Sequence, residues 1–230
     1  MDHVMNAHGQ PVGLPVAGPL PRPRPPHVVL GGRHGRLSPL RAAHAPALFA
    51  AFAEDRTGRD RTYLSIEPWQ TEDEAQRWCL WAQGSADPQF YAIEDGVGAA
   101  GICSLMRIAP EAGCVELGYI QFSPRLQRTR LATEAMLLIL SHVFDTLGYR
   151  RCEWKCDALN APSRRAAERL GFGYEGTFRQ ATVYKGRNRD TAWFSLLDGE
   201  WPERKARLER WLAASNFDAL GRQNRRLSEV

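Results

Sequence analysis

The sequence is short of the features that mark several protein classes. Its five cysteines, at positions 79, 103, 114, 152 and 156, form no CxxC pair, and their number is odd. Such spacing in a chain of this size favours buried free thiols over a disulfide framework. Cys152 and Cys156 are an even distance apart, so in one strand they share a face without bonding to each other. Free thiols imply a cytoplasmic setting. No apolar run approaches the roughly 20 residues of a membrane span, and the opening MDHVMNAHGQPVGLP has no long apolar signal region. No membrane partner is expected. The six histidines, at 3, 8, 27, 34, 44 and 142, show no metal-ligand spacing, so no metal is expected. The formal charge is only +4. The basic residues are dispersed and show no helix-turn-helix or finger spacing, which argues against nucleic acid. A small positive excess suits an anionic cofactor equally well.

What is present is ordinary globular composition: 230 residues, 43% apolar and 24% charged, enough for one well-buried core. Residues 1–27 are rich in proline and glycine and read as a disordered tail. Residues 28–217 read as the folded domain, closed by an amphipathic helix carrying Leu208, Trp211 and Leu212, and 218–230 as a polar tail. Within the domain, 28–40 suggest two short extended pieces around Gly31-Gly32, and 42–53 a helix. Thr71 followed by Glu74 has capping-box spacing for a second helix. Closely spaced strands at 90–95, 99–109 and 114–122 read as an antiparallel meander. A long helix from about 129 to 147 separates them from a strand at 151–160, which implies a parallel crossover. A short helix at 162–169 and a hairpin on either side of 185–188 complete the order. This predicts an α/β fold: a mixed, mostly antiparallel sheet with helices on both faces.

The organising stretch is ELGYIQFSPRLQRTRLATEAMLLILSHVFDTL, residues 116–147. A strand stops at Ser123-Pro124, a basic loop follows, and a helix opens with Leu131, Ala135, Leu138, Ile139, His142, Val143 and Leu147 on its apolar stripe. First-turn amides lack intrahelical acceptors, and the helix dipole favours negative charge there. With Arg125, Arg128 and Arg130 around that point, Gln127, Arg128, Thr129, Arg130, Leu131 and Ala132 read as a phosphate-binding turn.

Three segments together, ELGYIQFSPRLQRTRLATEA, CDALNAPSRRAAERLGFGYEG and NRDTAWFSLL, resemble the GCN5-related N-acetyltransferase (GNAT) superfamily. They are most similar to its ribosomal-protein N-terminal, RimJ/RimL-like branch. Gln127 and Ala132 match the ends of the family's Q/R-x-x-G-x-G/A motif, and Arg130 stands where glycine is usual. The resemblance implies acetyl-CoA as cosubstrate, held by the amides of 128–132. The pantetheine arm would lie between splayed parallel strands at 114–122 and 151–158. It implies an N-acetyltransferase acting in a ternary complex by direct attack of a primary amine, either a small amine or a peptide N-terminus, and a homodimer. The alternative is a non-catalytic acyl-CoA-binding or regulatory module.

Acetyl transfer needs a deprotonated amine and a proton for the departing thiolate. Glu116 is the candidate base, through a water; the alternative is a solvated or salt-bridged strand residue. Its apolar strand would bury it partly, raise its pKa and help it accept a proton. Asn160, Ser163 and Arg164 are candidate cofactor contacts, with Ser163 also placed to donate or relay the leaving-group proton. Asn160 and Ser163 are equally good helix caps. The tyrosine many relatives carry in this helix is Ala167 here. Strand parity separates Tyr119 from Glu116 unless a bulge intervenes. Trp69 and the stretches 61–69 and 178–184 are candidates for an acceptor pocket, and Glu134 for a structural role or substrate alignment.

Overall fold

The computed structural model describes residues 3–230. Two short strands, β1 (His3–Met5) and β2 (Pro11–Gly13), form an antiparallel hairpin of their own. The remaining strands are β3 (Leu30–Gly31), β4 (Arg36–Pro39), β5 (Gln89–Glu94), β6 (Ala99–Ala109), β7 (Cys114–Phe122), β8 (Arg151–Asp157), β9 (Gly173–Tyr184) and β10 (Arg187–Leu197). They build one sheet in the order β3-β4-β5-β6-β7-β8-β10-β9. Every pairing in it is antiparallel except β7 with β8. The crossover between that pair is α3 (Arg130–Ser141), which continues as a wider turn over His142–Thr146.

Alternation along the strands divides the core in two. Val115, Leu117, Cys152, Trp154 and Cys156 point toward α3 and toward α5 (Trp201–Leu212), with Ala167 and Leu170 of α4 (Ala161–Leu170) in the same cluster. Phe90, Ala92, Ala99 and Ile102 point the other way, against α1 (Ala45–Ala53) and α2 (Glu72–Gln83). Thr71 caps α2 by accepting from the Glu74 amide, while Glu74 reaches one residue further back, to the Gln70 amide. Four cysteines are buried and all five are free.

The sheet is interrupted where it matters most. Two residues of β7, Tyr119 and Ile120, stand opposite the single Cys103 of β6. Tyr119 takes a left-handed φ of 48°. Ile120 therefore packs on the α3 side and Tyr119 on the α1/α2 side. A second bulge sets Arg107 and Ile108 against Val115, with Arg107 at φ 47°. Asp87 holds that bulge by accepting from the amides of both Arg107 and Ile108 (2.8 and 3.0 Å).

The stretch read as a disordered tail lies partly along the sheet from His3 onward; positions 1 and 2 fall outside the described residues. Prolines give no donor, but their carbonyls remain acceptors. Pro25 O accepts from Gln89 Nε2 (2.9 Å), Pro26 O from Tyr91 Oη (3.4 Å), and the Arg22 amide donates to Pro110 O (2.9 Å). Residues 218–230, read as a polar tail, fold back on the domain. Phe217 bridges to Gln223, and Leu227 is buried.

His142 sits where the apolar stripe leads, buried, with no partner for Nε2 among the described residues. Burial lowers its pKa below the ordinary 6.5. The unfolded chain therefore takes up a proton that the fold excludes, and the stability His142 contributes is present above about pH 6.5 and lost as pH falls below it. His44, also lowered by burial, acts in the same sense. Stability measured by urea unfolding is expected to fall between about pH 7 and pH 5. His142→Leu should shallow that fall; an unchanged slope in the variant would remove His142 from the account.

Candidate active site

The parallel pairing of β7 with β8 is brief. Only Cys114↔Arg151, Val115↔Cys152 and Glu116↔Glu153 are in register, although β7 runs on to Phe122 and β8 to Asp157. Beyond Glu116 and Glu153 the strands diverge, as the family resemblance implied. The backbone groups that face the gap there have no strand partner.

At the end of β7 the chain turns through residues 123–129. The Leu126 and Gln127 amides donate to Ser123 O (2.9 and 3.0 Å), and the Thr129 amide to Leu126 O (3.3 Å). Thr129 Oγ1 caps α3 by accepting from the Ala132 amide (3.1 Å). Of the five amides expected to hold phosphate, those of Thr129 and Ala132 are therefore engaged. Those of Arg128, Arg130 and Leu131 have no acceptor among the described residues. The left-handed residue of the turn is Arg128 (φ 61°), not Arg130. This is why a side chain is tolerated at Arg130, where relatives place glycine. Gln127 points away from the turn, donating to Asp60 Oδ2 (2.6 Å) and Phe122 O (3.1 Å). Arg125, expected beside the phosphates, is taken up by Asp95 (3.2 Å), Glu54 (3.8 Å) and Ala99 O (3.1 Å).

At the end of β8, Asn160 caps α4 through Oδ1, which accepts from the Ser163 amide (3.1 Å). Its Nδ2 has no partner among the described residues. Ser163 Oγ accepts from Trp154 Nε1 (3.0 Å). It also lies beside Cys156, whose thiol is pushed up by burial against the opposing effect of this hydroxyl. Arg164 folds back, with Nη1 on Ala158 O (3.3 Å) and its guanidinium 5.7 Å from the Tyr174 ring. Ala167 is fully buried, so its position faces the core.

Glu116 occupies the point where the strands part. The apolar surroundings inferred from the sequence are replaced by charge. Glu116 is buried, but its Oε2 lies 2.9 Å from Lys155 Nζ and 2.9 Å from Arg107 Nε. Neither contact is aligned as a hydrogen bond, so this oxygen is held by charge alone. The ladder continues along β8 and ends on β9. Lys155 pairs with Glu153 (2.7 Å), Glu153 with Arg151 (2.9 Å), and Arg151 with Glu175 (2.6 Å). Burial pushes the Glu153 carboxyl up, but its bonds to Lys155 and Arg151 outweigh this and leave it lowered. The bonds from Arg151 bring Glu175 down to about 2. Lys155 is almost buried, and its Nζ lies 3.8 Å from the centroid of the Trp193 ring. Arg107 is 64% exposed, the solvent-facing partner of the two.

The Tyr119 bulge places its ring on the face that carries Glu116, meeting the condition set by strand parity. An aromatic series leads away from it: Phe90 (5.1 Å), then Trp78 (5.2 Å), then Trp69 (5.5 Å). Trp69 borders a cavity of about 320 Å³ with Phe49, Phe52 and Arg61. The Arg61 guanidinium lies 4.5 Å from the Trp69 ring and 5.1 Å from Phe52, and burial lowers its pKa to about 10. Lys185, at the β9–β10 tip, reaches Arg61 O (3.0 Å) and Glu67 (3.2 Å), and Tyr184 bonds Asp157 (2.9 Å). The larger cavity, about 390 Å³, lies between 13–17, Arg150 and Asp198 and touches none of the candidate residues. Sequence reasoning missed Lys155, Arg107 and Trp193, and reached Arg61 only as part of the stretch 61–69. The alternation of charges at 151, 153 and 155 was the available signal for the ladder. Glu134, read as a structural or substrate-aligning residue, accepts from the Arg33 and His34 amides (2.8 and 2.7 Å) and ties the β3–β4 turn to α3.

A gap between diverging strands, free amides at one end and a cap residue with a free amide group at the other narrow the family choice. A family model described as Acetyltransferase (GNAT) domain matches residues 36–173. The chain belongs to the GCN5-related N-acetyltransferase family. A GCN5-related N-acetyltransferase from Brucella melitensis has 47% identity and a TM-score of 0.90, covering 93% of this chain and 98% of that one. A GNAT-family structure from Chromobacterium violaceum has 42% identity and a TM-score of 0.77, covering 84% and 98%. The uncharacterized N-acetyltransferase p20 of Bacillus licheniformis is 28% identical over 144 residues, 60% of this chain and 80% of that protein. The protein is thus an acetyltransferase of the GNAT family, a family that uses acetyl-CoA. Within the described residues no cluster of His, Cys, Asp and Glu suits a metal, and no helix is long and apolar enough to cross a membrane.

Ser163→Ala removes the acceptor of a buried indole N–H. It should cost about 1–3 kcal/mol in urea unfolding, and a variant as stable as wild type would mean that the Trp154 bond contributes nothing.

Proposed function

We propose that this GNAT protein moves an acetyl group from acetyl-CoA to a primary amine by direct attack in a ternary complex. The observation that carries the reading is the parallel pair that parts at Glu116. One diverging arm leads to the phosphate turn, the other to Asn160 and Ser163, and the carboxylate stands at their junction. The residues present fit the cosubstrate. The amides of Arg128, Arg130 and Leu131 would receive its phosphates, and the unpaired backbone of β7 and β8 would receive the pantetheine amides, with Asn160 Nδ2 adding a donor. Bound there, acetyl-CoA supplies the activated acetyl thioester.

The chain's own groups then divide the proton traffic. Glu116 takes a proton from the amine through a water. Lys155 stays with the carboxylate, fixed beneath Trp193, while the exposed Arg107 gives way to the arriving ammonium. Ser163 hydrogen-bonds the departing sulfur and, through a water, relays to it a proton drawn from solvent, so that the serine ends as it began and the thiolate leaves as the thiol. The cavity at Trp69, Phe52 and Arg61 and the hairpin tip at Lys185 form the approach for the acceptor. The same fold is found, at 19% identity and a TM-score of 0.63, in RimL, a ribosomal L7/L12 α-N-protein acetyltransferase solved with coenzyme A. In this reading a peptide N-terminus is one acceptor class and a small primary amine the other. The acetyltransferase domain is assigned to residues 28–217, in a cytoplasmic setting consistent with five free thiols.

The test is thiol release from acetyl-CoA with a panel of peptides and small amines. Glu116→Gln should lower kcat/KM by about 10²- to 10⁴-fold and leave CoA affinity within about twofold, since binding rests on the turn and the strands. Wild-type turnover in the variant at every pH would remove Glu116 from the chemistry. Saturable CoA binding by the wild type without turnover on any acceptor would favour a binding module instead.

A further inference from the structure

Arg130 opens α3, and its guanidinium makes no hydrogen bond or ion pair among the described residues. It lies instead 4.5 Å from the centroid of the Phe217 ring. Phe217 packs edge-on against Trp211 (5.2 Å, 83°), and Trp211 carries a second guanidinium, Arg169, at 4.9 Å. Arg169 in turn donates to Thr133 Oγ1 (3.1 Å) in the first turn of α3. Arg130 at the start of α3 and Arg169 at the end of α4 thus rest on two rings from beyond the stretch, 36–173, that matches the family model.

The segment bearing those rings is well fixed. Trp211 Nε1 donates to Gln223 Oε1 (2.9 Å). The buried Asn216 donates through Nδ2 to Trp211 O (2.9 Å) and Arg225 O (3.2 Å) and accepts from the Arg225 amide (3.0 Å). Leu227 is 2% exposed and joins the main core. A guanidinium stacked on a ring uses its face and keeps its in-plane N–H donors free, the geometry suited to phosphate oxygens.

We infer that the C-terminal segment is part of the cosubstrate site and that Phe217 is a positioning residue. It holds the Arg130 guanidinium beside the free amides of Arg128, Arg130 and Leu131, where the guanidinium pairs with a phosphate of coenzyme A. This rests on the reading that coenzyme A binds at this turn.

The test is calorimetric titration of the full-length protein with CoA and with pantetheine, which has the same thiol arm and no phosphate. Phe217→Leu and Arg130→Met should each weaken CoA about three- to tenfold and leave pantetheine unchanged. The double variant should bind CoA no more weakly than Arg130→Met alone, and Phe217→Tyr, which keeps the ring, should bind as wild type. Phe217→Leu binding CoA like wild type, or losing CoA and pantetheine equally, overturns the positioning role. A wild-type protein that binds pantetheine but gains nothing from the phosphates of CoA overturns the cosubstrate reading itself.

Discussion

The structure depends on a parallel strand pair that holds together for three residue pairs and then opens. Parallel strands need a crossover, and the crossover is α3, which buries Leu131, Ala135, Met136, Ile139 and Leu140 against one face of the sheet. Because that face is fixed by apolar burial, the opening cannot be closed by sliding β8 along β7. A shift of one residue would turn Cys152, Trp154 and Cys156 out of the core and the charged residues between them into it.

The bulges and the charge ladder follow from that constraint. The extra residue at Tyr119 reverses the alternation of β7 after Gly118, keeping Ile120 and Phe122 on the α3 side while Tyr119 joins the aromatic cluster opposite. The extra residue at Arg107 brings a cation to Glu116. Burying Glu116 without a countercharge would be costly, and Lys155 supplies one from the neighbouring strand. Lys155 is itself balanced by Glu153, and so outward to Glu175 at the edge of the sheet. The charged side chains of β7, β8 and β9 are therefore a linked set of ion pairs, and a change at Arg151 will be felt at Glu116 through Glu153 and Lys155.

Much of the fold was legible in the sequence. The bounds of β6 and β7 were read as they stand, because turns at 95–98 and 110–113 punctuate an apolar alternation. The crossover followed from a long helix between two strands. The turn between β7 and α3 was visible as a strand, a basic loop and a helix start. The remainder depends on contacts that distance in sequence conceals. Alternation shows which face a residue takes but not where an extra residue enters, so the two bulges were out of reach. Glu116 was singled out with a salt-bridged role left open, but its partners Lys155 and Arg107 were not named, because they approach it only through cross-strand register. Arg125 looked like a phosphate ligand by position and is held by Asp95 and Glu54. Arg130 found its ring in Phe217, at the edge of a stretch whose polarity disguised the buried Leu227.

The most direct measure of the central claim is amide hydrogen exchange on the full-length protein with and without coenzyme A. The account predicts that the ligand slows exchange at Arg128, Arg130 and Leu131 and along β7 and β8 beyond Glu116 and Glu153, with little change at β4 and β5. Slowing confined to other elements, with the turn and the diverging strands unaffected, would contradict it.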